Sequence, residues 1–518
     1  MTAKEHKKSM ETICGWVNGT WLQKGEEAVV EELCIDSRKI AKPETALFVA
    51  LQTRHRDGHA FIANAYEQGV RNFLVSRDVN SVAYTGANFV KVADTQIALQ
   101  QLAVANRRQF DIPCIGITGS NGKTIVKEWL YQLLAEDYDT VRSPKSYNSQ
   151  IGVPLSVWLL NKKHRLAIFE AGISQPGEME KLERIIQPTI GVFTNIGEAH
   201  SEGFLNNRQK IKEKLLLFRH ARQLIYCKDH HELNQGIVEY VGQIKGDNNL
   251  QLFTWSQKKG ADLWIKDVVK TPGKTSITAE YKGNATEIVI PFTDPASVEN
   301  AIHCWCVLLL LNVEQAVISE HMQHLAPVSM RLELKQGIND CTFINDTYNS
   351  DLTSLLIALE YLEQQKQHPH HTVILSDMLQ IARPDGELYE EVANIISSKH
   401  IQRFIGIGPA LYKNKAVFRK HKRIRSIFFK STDEFLKSFH LITFNNEAIL
   451  LKGARVFTFE RIGTLLEQKV HQTVMSVNLS SLVHNLNVFR QRLQPGVKTM
   501  AMVKAFSYGS GSYEIAHM

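Results

Sequence analysis

The sequence predicts an α/β protein of several domains. Its 518 residues exceed one ordinary core and, at roughly 100–200 residues per domain, divide into about three to four. Short, nearly continuous apolar runs alternate with longer segments whose apolar residues recur every three or four positions, as buried parallel strands joined by helices should. Between one such pair lies a glycine-rich turn, Thr118-Gly119-Ser120-Asn121-Gly122-Lys123-Thr124.

Residues 1–108 combine the strands ALFVAL (46–51) and FLVS (73–76) with the helical stretch DGHAFIANAYEQG (57–69), a small α/β domain. Residues 109–325 open with IPCIGITGSNGKT (112–124) and VKEWLYQLLAE, predicting strand, turn and amphipathic helix, and RLAIFEAG (165–172) and TIGVFTNIG (189–197) add strands. The run CWCVLLLL (304–311) is far shorter than the roughly 18 residues of a membrane span, so it predicts a buried helix. Residues 326–465 repeat the doubly wound pattern: strand CTFIND (341–346), helix SLLIALEYLEQQ (354–365), strand TVILSDM (372–378), helix ELYEEVANIISS (387–398) and strand FIGIG (404–408). Residues 469–518 read as strand, helix and strand, too few to close a domain, so Met518 is expected to be a truncation point.

Composition narrows the class. With 44% hydrophobic and 22% charged residues the chain is globular rather than disordered. The opening MTAKEHKKSMETICGW has no apolar core of a signal peptide, and seven cysteines lack CxxC spacing, which predicts reduced thiols in a cytoplasmic protein. The net charge of +7 is modest, and the densest basic stretch, Arg419 to Arg425, lacks the interleaved aromatics that stack bases. No nucleic-acid partner and no membrane span are expected.

The sharpest local signal is the glycine turn. Its glycines let backbone N–H groups converge on phosphate oxygens, the helix start adds partial positive charge, Lys123 can reach terminal phosphates, and the Thr124 hydroxyl can bind Mg²⁺. The pattern GxxxxGK[ST] is not strictly met, since Ile117 stands where its first glycine belongs. Glu170 ends one apolar strand, and Glu198 with His200 follows another, so all three fall on the carboxyl edge where such sheets bind ligands. ATP binding follows, although a phosphate loop alone fits hydrolases, kinases and ligases alike.

Several ordered motifs now decide. TGSNGKT, YNSQIGVP (147–154), FEAG (169–172), TNIGEAHSEGF (194–204), KIKEKLLLF (210–218) and INDTYNSD (344–351) together resemble the ATP-dependent Mur ligases of peptidoglycan synthesis, over about residues 10–465. The resemblance implies a three-domain ligase with a central P-loop ATPase domain and a C-terminal Rossmann-like domain. It also implies ATP-dependent joining of D-alanyl-D-alanine to UDP-N-acetylmuramoyl-tripeptide; a Mur ligase adding another amino acid and a non-catalytic nucleotide-binding scaffold are the alternatives.

Carried onto this sequence, the resemblance places Gly119, Asn121, Gly122 and Lys123 at the ATP phosphates with Asn148 beside them, and gives Thr124 and Glu170 an ATP-linked Mg²⁺. Glu198 and His200 would assist a second ion. The family's carbamylated lysine corresponds to Lys214, with Lys212 a weaker candidate and an ordinary basic helix residue the plain reading. Asn300 would touch the adenine side, Arg331 the phosphates from the next domain, and Asp346 the ribose. Ser37-Arg38, after Asp36, and Asp57-Gly58-His59, after Arg56, resemble segments that hold the UDP part. Lys452 and Arg455 either face a substrate carboxylate or are surface charges.

Three departures stand out. The family's Gly-x-His-Asn-like stretch before Asn300 reads Asp294-Pro295-Ala296-Ser297-Val298-Glu299, Leu352 replaces a proline, and Asn345-Asp346 replaces an acidic pair.

The stretch VNLSSLVHNLNVFRQRL with MAMVKAFSYGSG (500–511) resembles the start of alanine racemases, which use pyridoxal phosphate. That resemblance makes Lys504 the Schiff-base lysine of an intact racemase domain. A barrel needs about 250 residues, so no racemase activity is expected of these 518 alone.

Overall fold

The computed structural model describes residues 8–53, 57–197, 201–243, 250–379, 383–468, 477–490, 492–494 and 497–502. Glu198, His200 and Lys504 lie outside these residues, and so does Arg56. The chain divides into two compact units.

The first unit is Met1–Phe110 with Val157–Leu159 and Val470–Met518. Its five-stranded sheet runs Thr20–Gln23, Asn88–Lys91, Asn72–Val75, Ala46–Val49, Glu32–Cys34, parallel except for the first pair. The apolar runs read from the sequence are its inner strands, with Phe73 stacked on Phe89 at 4.7 Å. Asp94 starts helix Thr95–Arg107 by accepting from the N–H groups of Gln96 and Ile97, and Leu99 and Leu102 bury the inner face.

In the tail, helix Leu479–Arg490 forms as expected. Of the strand expected at 498–509 only residues 498–502 are described, and these are in no ladder, with Met500 98% exposed. Its remainder, and most of the strand expected before the helix, lie outside the described residues.

The second unit is Asp111–Ser156 with Leu160–Lys469 and carries two sheets. The larger runs Asn284–Ile290, Lys274–Tyr281, Leu263–Thr271, Gln251–Ser256, Gln223–Cys227, Ile190–Phe193, Cys114–Thr118, Leu166–Glu170, Thr140–Arg142. Seven strands are parallel, and two hairpin strands extend it at the Asn284 end. Cys114–Thr118 sits centrally, with the chain passing first to one side of it and then to the other. That reversal opens a crevice at the strands' carboxyl ends. Register aligns Ile117 with both Glu170 and Val192, so Glu170 stands level with the start of the phosphate loop.

The CWCVLLLL run is the inner part of helix Pro295–Leu310, where Cys304, Trp305, Cys306, Val307 and Leu308 are buried against Trp129, Leu130 and Leu133 of helix Lys123–Leu134. Asp294 caps this helix by accepting from Ser297 N–H at 2.8 Å, with Pro295 at its first position. All seven cysteines are buried and none is in a disulfide.

The second sheet of this unit runs Glu333–Gln336, Thr342–Asp346, Glu447–Lys452, His370–Ser376, Arg403–Ile407, Arg425–Phe429, parallel after its antiparallel edge. Asp351 and Ser354 form a capping box for helix Leu352–Glu363. Leu352 therefore occupies the first helical position, where proline is common, and buries its side chain without loss of the cap. Arg419 to Arg425 spans a helix end and a turn, and Arg419, Lys420 and Arg425 are solvated.

Candidate nucleotide site

The glycine turn leaves the sheet at Thr118 and enters helix Lys123–Leu134. Gly119 and Gly122 have φ of 148° and 81°, which disfavour side chains. Space demands glycine as well: a Cβ at 119 would stand 2.0 Å from Thr194 Oγ1, and one at 122 would stand 2.3 Å from Asn300 Oδ1. Asn300 thus lies directly against the loop, and the Asp294–Glu299 departure does not displace it.

The segment after strand Ile190–Phe193 grips this turn. Asn195 takes the N–H groups of Ser120 and Asn121 at 2.9 and 3.0 Å, and Ser120 Oγ exchanges bonds with Gly197. The first N–H groups of helix Lys123–Leu134 have no intrahelical partner and suit an anion. Lys123 Nζ curls back onto the carbonyls of Gly119 and Ser120 at 2.7 and 2.9 Å. Burial, opposed in part by Glu170 and reinforced by Arg331, lowers its pKa to about 8.

Thr124 Oγ1 donates to Glu170 Oε2 at 2.9 Å and meets Ser146 Oγ at 3.2 Å. Glu170 is fully buried, and its Oε1 has no hydrogen-bond partner; burial raises its pKa against the pull of Lys127 and Lys123. Asn121 Nδ2 is likewise buried and unpartnered. Two orphaned polar atoms of opposite kind, a donor in the phosphate loop and an acceptor behind Thr124, fit an anion with its cation. The oxygen donors of Thr124 and Glu170 suit Mg²⁺.

Lys214 is buried, and its Nζ donates to Gly119 carbonyl at 3.1 Å. Burial, reinforced by Lys123 and Lys210, holds its pKa well below the ordinary lysine value. Lys212 is exposed, so the two candidates separate by environment.

Across the cleft, Arg331 lies over the Tyr348 ring at 4.0 Å, and burial lowers its pKa against Asp346 and Glu170. The cleft holds about 240 Å³ between Ser120–Ile125 on one side and Arg331, Tyr348 and Asn349 on the other, with Asn148 at its margin. Lys452 is not a surface charge. It is fully buried and donates to Asp346 Oδ2 at 2.6 Å and Asn349 carbonyl at 3.1 Å, so it braces the cleft wall instead of presenting a free cation. Arg455 is exposed, with Nη1 3.3 Å from Tyr348 Oη.

In the first unit, Asp36 accepts from Arg38 N, Nε and Nη2, and that pairing holds its pKa at about 2. Ser37 is buried beside it. His59 has both ring nitrogens engaged, Nδ1 with Asp57 Oδ1 at 2.6 Å and Nε2 with Ser76 N–H at 3.0 Å. Its part is to hold this segment. Asp57 also pairs with Arg77, and a Cβ at Gly58 would strike Leu51 N at 2.7 Å.

Four contributors escaped the sequence reading: Ser146 beside Thr124, Lys127 bonded to Ser143 and Lys145 carbonyls, Lys210 bonded to Gly197 carbonyl at 2.6 Å, and Tyr348 under Arg331. Lys127 and Lys210 each lie four positions from a lysine already singled out, so a lysine pair on one helix face was the available signal.

Fold and site together define a phosphate-loop α/β class in which a second α/β sheet lines the far side of the cleft. The Mur ligase middle-domain model matches residues 117–308, the Mur ligase family catalytic-domain model matches 29–107, and the alanine racemase N-terminal-domain model matches 477–518. The chain belongs to the Mur ligase family and carries a partial racemase-like segment. It is 27% identical to the UDP-N-acetylmuramoyl-tripeptide–D-alanyl-D-alanine ligase of Bacillus subtilis over 462 residues, covering 88% of this chain and 97% of that one. The ligase of the same name from Synechocystis sp. is 36% identical over 188 residues, 36% of this chain and 40% of that one. The crystal structure of MurF from Acinetobacter baumannii shares the fold with a TM-score of 0.75 at 23% identity, covering 88% and 98% of the two chains.

Proposed function

We propose that the chain joins D-alanyl-D-alanine to UDP-N-acetylmuramoyl-tripeptide with cleavage of ATP to ADP and phosphate. The observation that carries this reading is the single cleft in which Lys123 and Thr124 face Arg331 and Tyr348, with Glu170 bonded behind Thr124. The near full-length match to a ligase of that name supports the choice of substrates.

The terminal carboxylate of the tripeptide attacks the γ-phosphorus, the bond to the β–γ bridging oxygen breaks, and ADP leaves. Lys123 and the first N–H groups of its helix sit where charge develops on the transferring oxygens. Arg331 meets the same phosphates from the opposite wall. The amine of D-alanyl-D-alanine then attacks the acyl carbon, and collapse of the tetrahedral intermediate breaks the acyl–oxygen bond and releases phosphate and a proton. Thr124 and Glu170 would hold Mg²⁺, which neutralises phosphoryl charge when bound. Glu198 and His200 are proposed for a second ion, and Lys214 as a carbamylated lysine. Closing the cleft keeps water from the acyl phosphate. Asp346, its Oδ2 held by Lys452, is proposed for the ribose and Asn300 for the adenine side.

Among the described residues no helix is long and apolar enough to cross a membrane, and the need for ATP and a UDP-linked substrate supports action in the cytoplasm. The test is incubation with ATP, the UDP-linked tripeptide and a panel of acceptors. Pentapeptide, ADP and phosphate should appear in equal amounts with D-alanyl-D-alanine. Turnover only with another amino acid would reject this acceptor.

A further inference from the structure

Helix Pro295–Leu310 carries a buried polar row behind the phosphate loop. Glu299 Oε1 lies 2.9 Å from His230 Nε2, and His303 Nε2 stands 3.9 Å from the same oxygen. That second distance is too long for a hydrogen bond. The His303 N–H goes instead to the Thr194 carbonyl at 3.1 Å. On the other side of the ring, Trp255 Nε1 lies 3.2 Å from His303 Nδ1. An indole N–H only donates, so Nδ1 must accept. The partners therefore assign His303 as a neutral ring with its proton on Nε2. It is fully buried, edge-on to Trp255 at 5.4 Å.

From Thr194 the bonds run into the phosphate loop. Thr194 N–H donates to Thr118 carbonyl at 3.0 Å, and its Oγ1 donates to Asn121 carbonyl at 2.6 Å. Asn195, next in the chain, holds the Ser120 and Asn121 N–H groups. The peptide that His303 fixes is therefore the one on which the glycine turn rests. Asn300, one turn earlier on the helix, packs on Gly122, so one helix locates the turn at two points.

Glu299 is the competing acceptor for the His303 proton. Its burial favours the neutral form, but the hydrogen bond and charge of His230 pull its pKa below the ordinary carboxylate value, so it is a carboxylate. With Oε1 engaged by His230, the carboxylate stays off the His303 N–H, which remains on Thr194.

We propose that His303 is a positioning residue for the nucleotide: Trp255 fixes its tautomer, His230 restrains Glu299, and its Nε2–H holds Thr194 and so the phosphate loop. This rests on the nucleotide reading of the cleft. It concerns no residue that itself touches phosphate.

The test measures ADP binding by calorimetry and the KM values for ATP and for the UDP-linked tripeptide. His303→Leu removes the donor and should weaken ADP binding and raise the ATP KM about tenfold, with the tripeptide KM unchanged. His303→Gln places an amide N–H near the Nε2 position and should return both values to within about threefold of the parent protein. Equal behaviour of the two variants, or parallel rises in both KM values, would overturn the proposal. If the leucine variant does not fold, Trp255→Phe decides the matter: about threefold weaker ADP binding is expected, and parental affinity would overturn it. Failure of the parent protein to bind ADP would reject the nucleotide reading itself, a different result from equal binding by all variants.

Discussion

Lys452 Nζ and Asp346 Oδ2 meet at 2.6 Å between residues directly paired on adjacent parallel strands, both buried at the sheet's carboxyl edge. A second bond, from Lys452 to Asn349 carbonyl, extends the pair into the turn that lines the cleft. Lys452→Met strands a buried carboxylate and should destabilise the second unit by about 3–5 kcal/mol in denaturant unfolding. Adding Asp346→Asn should restore part of that loss. Full retention of stability in Lys452→Met would refute the bracing role.

Lys123 sets a pH limit on nucleotide binding. Its pKa of about 8 lies below the ordinary 10.5, with burial the main cause. Below about 8 the lysine is charged in folded and unfolded chains alike. Between the two values the unfolded chain binds more protons, so this group makes stability rise with pH across that window. Binding runs the other way. Phosphate stabilises the ammonium, so ADP affinity should be flat below pH 8 and fall by up to about tenfold per unit above it. Calorimetric titration from pH 6.5 to 9.5 checks this. Lys123→Ala should abolish turnover and flatten the profile while the protein remains folded.

Periodicity carried most of the fold into view because the inner strands and helices are buried on the faces their apolar residues mark. Cys114–Thr118, Leu166–Glu170 and the Cys304–Leu308 run are clear cases. The glycine turn was legible because its backbone needs φ values that few residues adopt. Side-chain partnerships were not. Lys452 reads as an exposed charge until the strand pairing brings Asp346 beside it, and the bonds of both His59 ring nitrogens, to Asp57 and Ser76, show only in the folded chain. Such roles depend on residues 17 to 106 positions away in the chain.

Glu170 predicts a metal dependence. Its free, buried Oε1 and the Thr124 hydroxyl are oxygen donors at the start of the helix that follows the phosphate loop. Removing divalent ions with EDTA should stop turnover, and Mg²⁺ should restore it. Glu170→Gln keeps the size and an acceptor for Thr124 but loses the charge, so the Mg²⁺ concentration for half-maximal rate should rise at least about tenfold. An unchanged Mg²⁺ dependence would remove Glu170 from the ion site.

The racemase-like tail predicts an absence that can be measured. Helix Leu479–Arg490 exposes Leu482, Leu486 and Phe489, and a racemase barrel needs about 250 residues. Added pyridoxal phosphate should give no stoichiometric Schiff-base band in the visible spectrum. Such a band, lost on Lys504→Ala, would show that this segment binds the cofactor.

Lys214 predicts a dependence on dissolved carbon dioxide. An ordinary lysine is protonated near neutral pH and unreactive, but burial and the neighbouring Lys123 and Lys210 favour the free amine here. Attack of that amine on CO₂ forms an N–C bond and releases one proton, leaving a carboxylate-like group where a cation had been. The two lysines that disfavour the ammonium would stabilise the carbamate, so the same charges drive both steps. Turnover in CO₂-depleted buffer should therefore fall severalfold and recover on adding bicarbonate at constant pH. Lys214→Ala should be inactive in both buffers, whereas Lys212→Ala, altering an exposed side chain, should respond as the parent does. Equal parental rates with and without bicarbonate would leave Lys214 as a buried amine bonded to Gly119 carbonyl and nothing more.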